Sequence, residues 1–190
     1  MKAIRATIIV SFAILLIGLT AQAQTPDTKH FDKEGLSFDY PNGWTLEEQN
    51  TKDAQQLTLG RSDSDAQIKL FVHRGKVDTP EKLAQARKAF IDPYIKSTSD
   101  IFVQMGAKPE QTTANTQISG AQAEGVRIRA SLSGEEGEAA IYWLTVSNRV
   151  VVLTFFGPDQ ALKKATPVWD TVRNSIHIEE AKAAPKATPK

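Results

Sequence analysis

Apolar and polar residues alternate in the first half of the chain, as they do in strands that bury only one face. Residues 36–40 and 66–74 show this alternation most clearly. We expect each of them to pair with a shorter strand, over residues 30–32 and 56–60 respectively. The pattern therefore predicts two hairpins that contribute to an antiparallel sheet.

A helical period replaces the alternation after residue 79. Apolar residues recur at near-helical spacing from Leu83 to Met105, which predicts a long helix. Thr79 can cap this helix by accepting a backbone N–H, and Pro80 suits its first position, where no donor is needed. Pro93 lies inside the pattern, so we expect a kink or break close to it.

The second half of the chain predicts four strands and a closing helix. The strands cover residues 112–118, 121–132, 138–147 and 150–156, and the helix covers residues 160–175. The last two strands are apolar on both faces, so both faces of the sheet need cover. The predicted fold class is α+β, with a central antiparallel β-sheet and helices on both faces.

The N-terminal segment has the pattern of a signal peptide. Lys2 and Arg5 precede an apolar run, and Ala21-Gln22-Ala23 supplies the small residues that signal peptidase accepts. The run is shorter than the about 20 residues that a membrane-spanning helix needs, which favours a cleaved signal peptide. The alternative is an N-terminal membrane anchor. We expect residues 1–23 to be removed and the mature chain to be periplasmic or extracellular.

Composition divides the mature chain into a flexible leader over residues 24–29, a domain over 30–178 and a tail over 179–190. The tail has no large apolar residue and is expected to be disordered. The whole chain has a net charge of +1 and no cysteine. This balance does not favour nucleic acid as a partner, and thiol chemistry is excluded. No transmembrane segment is expected in the mature chain.

A short motif resembles a known family. The sequence from Gly35 to Trp44, GLSFDYPNGW, resembles the opening of PsbP-like domains. The later order of strands and the closing helix is compatible, so the resemblance covers most of residues 30–178. It implies an α/β/α sandwich without catalytic residues. Many members of this superfamily dock onto larger assemblies, and many are exported bacterial proteins.

Candidate chemistry is sparse. The three histidines are far apart in the sequence, and we expect no cofactor, metal site or catalytic residue. Arg127 and Arg129 share one face of a predicted strand. They could form a basic ligand or partner surface with Lys69 and His73 if the two strands are neighbours. The alternative is an ordinary solvated sheet face.

Six aromatic residues either form the core or line a pocket for an apolar ligand. They are Trp44, Tyr142, Trp143, Phe155, Phe156 and Trp169. The predicted turns at 61–65 and 133–137 are exposed candidates for recognition.

Three function classes remain open. The first is an exported, non-catalytic module that docks on an envelope protein. The second is a carrier of a small apolar or anionic ligand, and the third is a hydrolase with a dispersed active site. A pocket of several hundred cubic ångströms with converging polar groups would favour the second or third. A flat, exposed apolar patch would favour the first.

Overall fold

The computed structural model describes residues 27–179. The predicted signal peptide and all but the first residue of the predicted tail lie outside the described residues. Two residues of the predicted leader, Thr28 and Lys29, belong to the first strand.

This part of the chain forms ten strands, three α-helices and one π-helical turn. In chain order they are β1 Thr28–Lys33, β2 Leu36–Pro41, β3 Thr45–Glu48, β4 Ala54–Arg61, β5 Ser64–His73, α1 Pro80–Ala86, the π turn Arg87–Ile91, α2 Asp92–Gln104, β6 Glu110–Ile118, β7 Ala121–Leu132, β8 Glu135–Val146, β9 Arg149–Pro158, α3 Asp159–Ser175 and β10 His177–Ile178. The short strands β3 and β10 are not apparent in the sequence pattern.

Two antiparallel sheets organise these elements. The large sheet has seven strands in the order β3-β4-β5-β9-β8-β7-β6. Strands β8 and β9 lie side by side in its centre, which explains why both are apolar on both faces. The small sheet has the order β1-β2-β10 and contains both ends of the described chain.

Helices cover both faces of the large sheet, and the predicted α+β class is confirmed. On one face, α3 packs with the small sheet over a core that includes Phe38, Leu153 and Trp169. On the other face, α1, the π turn and α2 pack over a separate core that includes Ile91 and Ile141. The sheet therefore has an α3 face and an α2 face, each with its own apolar cluster.

The long predicted helix is interrupted one turn before Pro93. Proline has no N–H to donate and clashes with a carbonyl in the preceding turn, and the π turn accommodates this. The extra residue of the π turn shifts the buried stripe, so that Ala86 and Ile91 are buried at a spacing of five. Ile101 and Met105, which follow the predicted apolar face, are exposed instead.

A buried polar network joins the two sheets. The guanidinium of Arg149, at the start of β9, donates to the Gln55 Oε1 atom at 2.9 Å and to the Glu34 carbonyl at 3.2 Å. Gln55 is fully buried, and its amide donates to the Lys33 carbonyl at 2.9 Å. Burial lowers the pKa of Arg149, and the nearby charge of Arg74 adds to this effect. The β1–β2 turn is thereby fixed against the large sheet.

Candidate functional site

The four basic residues that are candidates for one surface lie on two different faces of the sheet. Lys69 and His73 are on β5 and point to the α2 face, whereas Arg127 and Arg129 are on β7 and point to the α3 face. Strands β9 and β8 separate the two positions. The condition for a joint patch is therefore not met, because β5 and β7 are not neighbours and the two pairs of residues point to opposite faces.

Lys69 instead belongs to a cleft on the α2 face, which we call the lysine cleft. The cleft has a volume of about 320 Å³ and lies between the helical segment and strands β4, β5 and β9. The residues that line it come from several separate elements. They include Gln56 and Thr58 of β4, Lys69 and Phe71 of β5, Val152 and Thr154 of β9, and Ala89, Phe90 and Tyr94 of the helical segment.

Strand register arranges the floor of the lysine cleft in two rows. Thr58, Lys69 and Thr154 face one another across the three strands in the first row. Gln56, Phe71 and Val152 form the second row. Side chains directly opposite on one face have Cβ atoms about 5 Å apart, so each row is in mutual reach. One row is polar and carries the lysine, while the next is largely apolar.

The Lys69 ammonium has no acidic partner in the described part of the chain. No Asp or Glu oxygen among residues 27–179 lies within 4.0 Å of it. The ammonium lies over the ring of Phe156, 6.0 Å from the ring centroid. Of the described residues that line the cleft, Lys69 alone carries a charge. Glu47 of β3 lies opposite Thr58 and continues the polar row, but its side chain is exposed and does not line the cleft. The lining itself therefore carries one positive charge that no carboxylate of the described residues contacts.

The helical wall of the cleft is aromatic, and its position is fixed by packing against strand β5. Phe90 packs on Phe71 with ring centroids 5.9 Å apart, and on His73 at 4.6 Å. The Gly75 amide donates to the His73 Nδ1 atom at 3.0 Å. A Cβ at Gly75 would overlap the imidazole, so glycine is needed for this close approach. His73 thus supports the wall of the cleft and does not line it.

Tyr94 and Thr154 close the inner end of the lysine cleft. Their hydroxyl oxygens are 3.1 Å apart, and Thr154 is buried. Burial raises the pKa of the Tyr94 hydroxyl, and the hydrogen bond with Thr154 offsets part of this effect. Tyr94 is therefore a neutral hydrogen-bonding group at ordinary pH.

Arg127 belongs to a second cleft on the α3 face, which we call the arginine cleft. This cleft has a volume of about 330 Å³ and lies between α3 and strands β6 to β9. Its lining includes Arg127, Glu138, Tyr142, Trp169 and Arg173. The Trp169 indole is stacked on Phe155, with centroids 5.0 Å apart and planes at 9°.

The arginines of the second cleft are held by carboxylates. Glu138 has an 11% exposed side chain and lies 3.1 Å from Arg129 and 3.7 Å from Arg127. Arg129 also donates to Asp159 at the start of α3, at 2.6 Å. The Tyr142 hydroxyl has the largest effect in raising the pKa of Arg127, and the charge of Glu138 raises it further. The pKa of Arg129 is raised mainly by Asp159.

Arg173 ties α3 to the sheet in a similar way. It donates to the Thr116 hydroxyl at 2.9 Å and to an Asp170 carboxylate oxygen at 2.9 Å. The arginine cleft is thus close to neutral, and each of its guanidinium groups faces a carboxylate, although the buried Arg173 Nε atom has no hydrogen-bond partner among the described residues. Its arrangement is that of a joint between helix and sheet.

The remaining sequence candidates are dispersed in the structure. His30 contacts Asp39 at 2.6 Å in the small sheet, and His177 is exposed on β10. Across residues 27–179, the His, Asp and Glu side chains form no group of three or more that could hold a metal ion. In the same range, no helix is long and apolar enough to cross a bilayer.

The predicted recognition turns lie at one end of the large sheet. The β4–β5 turn follows Arg61, and the β7–β8 turn contains Ser133 and Gly134. Arg61 forms an ion pair with Asp63 within its own turn. Of the six aromatic candidates, all are buried except Phe156, which is half-buried, so the set belongs mainly to the two cores.

Comparison with solved structures identifies the fold. The solution structure of cyanobacterial PsbP (CyanoP) from Synechocystis sp. PCC 6803 superposes with a TM-score of 0.52 at 14% identity, covering 85% of this chain and 98% of that one. A crystal structure from Bacteroides thetaiotaomicron VPI-5482 gives a TM-score of 0.52 at 12% identity, covering 83% of this chain and 51% of that one. No family model and no curated protein matches the sequence. The chain has a PsbP-like fold.

The sequence pattern indicates Lys69 as a candidate but does not indicate the other residues of its cleft. Gln56 and Thr58 occupy the polar positions of an alternating strand, where solvent exposure is the ordinary expectation. Thr154 is one polar residue in the otherwise apolar run of β9, and it is buried. A single threonine in an apolar central strand needs a hydrogen-bond partner, and this is the sequence signal that could have indicated a polar site there.

Proposed function

We propose that the mature chain is an exported, non-catalytic binding module that docks on a protein partner in the cell envelope. The lysine cleft carries this proposal. It is a concave surface with an exposed cation and aromatic walls, and such surfaces are suited to receiving a group from a partner. The PsbP-like resemblance supports docking as the mode of action, and the signal-peptide pattern supports the envelope as its place.

Site-specific photo-crosslinking in the native envelope tests the docking proposal. A photoreactive residue replaces Ala89, which is exposed at the rim of the cleft. We expect one discrete protein adduct that is lost when Lys69→Glu is added, because the reversed charge repels an acidic group. The matched control places the same residue at Lys163, which is exposed on α3 over the opposite face of the sheet. Equal adducts at both positions would contradict docking through the cleft.

The same experiment can examine export. Protein recovered from the envelope is expected to begin at Gln24, after removal of residues 1–23. N-terminal sequencing or intact-mass measurement distinguishes this species from a chain that keeps Met1 as part of a membrane anchor.

A second candidate function is transport of a small apolar or anionic ligand. The volume of the lysine cleft favours it, since about 320 Å³ lies at the lower end of the roughly 300–1,000 Å³ found for ligand pockets. Native mass spectrometry of protein purified from its own envelope is expected to show a bound small molecule under this function. A partner adduct at residue 89 without a bound molecule would favour docking.

A further inference from the structure

We infer that the lysine cleft recognises a carboxylate attached to a flat apolar group. This inference rests on the lysine cleft being the binding site, as proposed above, and it names the chemistry of the occupant. Two sources share this chemistry, namely a free small aryl carboxylate and the C-terminal residue of a chain that ends in an aromatic side chain.

The charge of the cleft fixes the sign and size of the ligand charge. Lys69 contributes one positive charge, and the other described lining residues contribute none. A monoanion would neutralise this charge, whereas a phosphate dianion would leave an uncompensated negative charge against apolar walls. The Asp and Glu oxygens of residues 27–179 are all more than 4.0 Å from the ammonium, so an incoming carboxylate displaces no internal ion pair.

Neutral groups beside the lysine can complete the recognition of a carboxylate. The Thr58 hydroxyl is directly opposite Lys69 in the strand register, and the Gln56 amide lies two residues along the same strand. Both can donate hydrogen bonds to a carboxylate oxygen. Charge-assisted hydrogen bonds of this kind are stronger than those between neutral groups.

The apolar row next to the lysine suits a flat body. Phe71 and Val152 form the floor of this row, and Phe90 forms the wall above it. Offset and tilted contacts between aromatic rings are favourable beyond simple burial. A ring joined to a carboxylate by a short link would place its charge on the polar row and its ring on the apolar row.

Titration of the full-length mature protein with phenylacetate tests the inference. Amide NMR shifts locate the binding site, and calorimetry measures the affinity. We expect shifts centred on β4, β5 and the π turn, and at least about tenfold weaker binding of neutral phenylacetamide. Acetyl-glycyl-phenylalanine, with a free or an amidated C-terminus, forms the second arm. Tighter binding of the free-acid peptide than of phenylacetate assigns the source to a chain terminus, and the reverse assigns it to a free acid.

Lys69→Gln is the informative variant, because it keeps a polar side chain of similar length and removes the charge. We expect it to weaken binding of both acids at least about tenfold, whereas Lys163→Gln leaves binding unchanged. Phe90→Ala is expected to weaken phenylacetate binding more than acetate binding. Equal affinity for the acid and its amide, or unchanged binding by Lys69→Gln, would overturn the inference.

The two proposals can fail separately. Absence of binding by both acids, with the adduct at residue 89 intact, overturns the carboxylate inference and leaves docking in place. Binding of phenylacetate that depends on Lys69, without any adduct at residue 89, rules out docking and supports the inference with the carrier function.

Discussion

The two clefts have similar volumes and lie on opposite faces of one sheet, but their charges are used differently. In the arginine cleft, Glu138, Asp159 and Asp170 neutralise the guanidinium groups that face them. In the lysine cleft, the single ammonium has no carboxylate within 4.0 Å among the described residues and lies 6.0 Å from the centroid of the Phe156 ring. Cavity size therefore does not distinguish the two clefts, whereas the presence of an internal counter-charge does.

The same contrast extends to the aromatic walls. Trp169 is 8% exposed and stacked on Phe155, so it is part of the core. Phe90 is only half-buried and leaves one side open to the cleft. Substitutions in the arginine cleft are expected to affect stability, and substitutions in the lysine cleft are expected to affect binding.

The largest expected effect is on the wall of the arginine cleft. Trp169→Ala should lower the free energy of unfolding by about 3–5 kcal/mol, because it removes a buried aromatic side chain together with its stacking contact on Phe155. Phe90→Ala should cost clearly less, about 1–2 kcal/mol, because its side chain is already partly solvated. Urea denaturation of both variants measures the difference. Similar costs for the two would contradict the distinction between core and cleft wall.

Glu138→Gln is expected to have the next largest effect. It removes the buried carboxylate that neutralises Arg127 and Arg129, and the exposed state of both arginines limits the cost to about 1–2 kcal/mol. Glu135→Gln on the same strand is the control, since Glu135 is exposed, and should change stability by less than about 0.5 kcal/mol. An unchanged free energy of unfolding in Glu138→Gln would show that the arginine network does not hold α3 against the sheet.

Alkaline titration should show a smaller effect that is specific to the lysine cleft. Burial raises the pKa of Tyr94 in the folded protein, so unfolding releases its proton above the unfolded value of about 10. Stability contributed by this group is complete below that pH and is lost as pH rises through the folded pKa. Ultraviolet absorbance of tyrosinate should therefore show a late-titrating component that is absent in Tyr94→Phe.

The smallest expected effect on stability is that of Lys69→Gln. An exposed side chain without an ion pair in the described chain should change the free energy of unfolding by less than about 0.5 kcal/mol. Thermal and urea unfolding check this value beside the binding assays. A loss comparable to that of Glu138→Gln would mean that Lys69 has a structural partner and that the two clefts are alike.

Local features of the fold could be predicted from the sequence because they depend on neighbouring residues. Thr79 caps α1 by accepting the Lys82 amide at 3.3 Å, as its side chain indicates. The alternation in β5 places Ile68 and Leu70 on one face and Lys69 on the other. These features need only the period of the element and the chemistry of its ends.

The candidate site could not be predicted in the same way, because it depends on strand order. Alternation shows that Arg127 and Arg129 share a face, but it does not show that β9 and β8 lie between them and Lys69. The π turn had the same effect on the helix, since one added residue moved the buried stripe away from Ile101 and Met105. Strand order decided the first outcome, and the added residue of the π turn before Pro93 decided the second.

The small sheet has a consequence for the order in which the chain folds. Strand β10 pairs with β2, whose Leu36 and Phe38 side chains are fully buried in the folded domain. A nascent chain can pair β4 to β9 early, but β2 keeps an open edge until residues 177 and 178 have been synthesised. An incomplete chain would therefore present an apolar strand edge to proteases and to other chains.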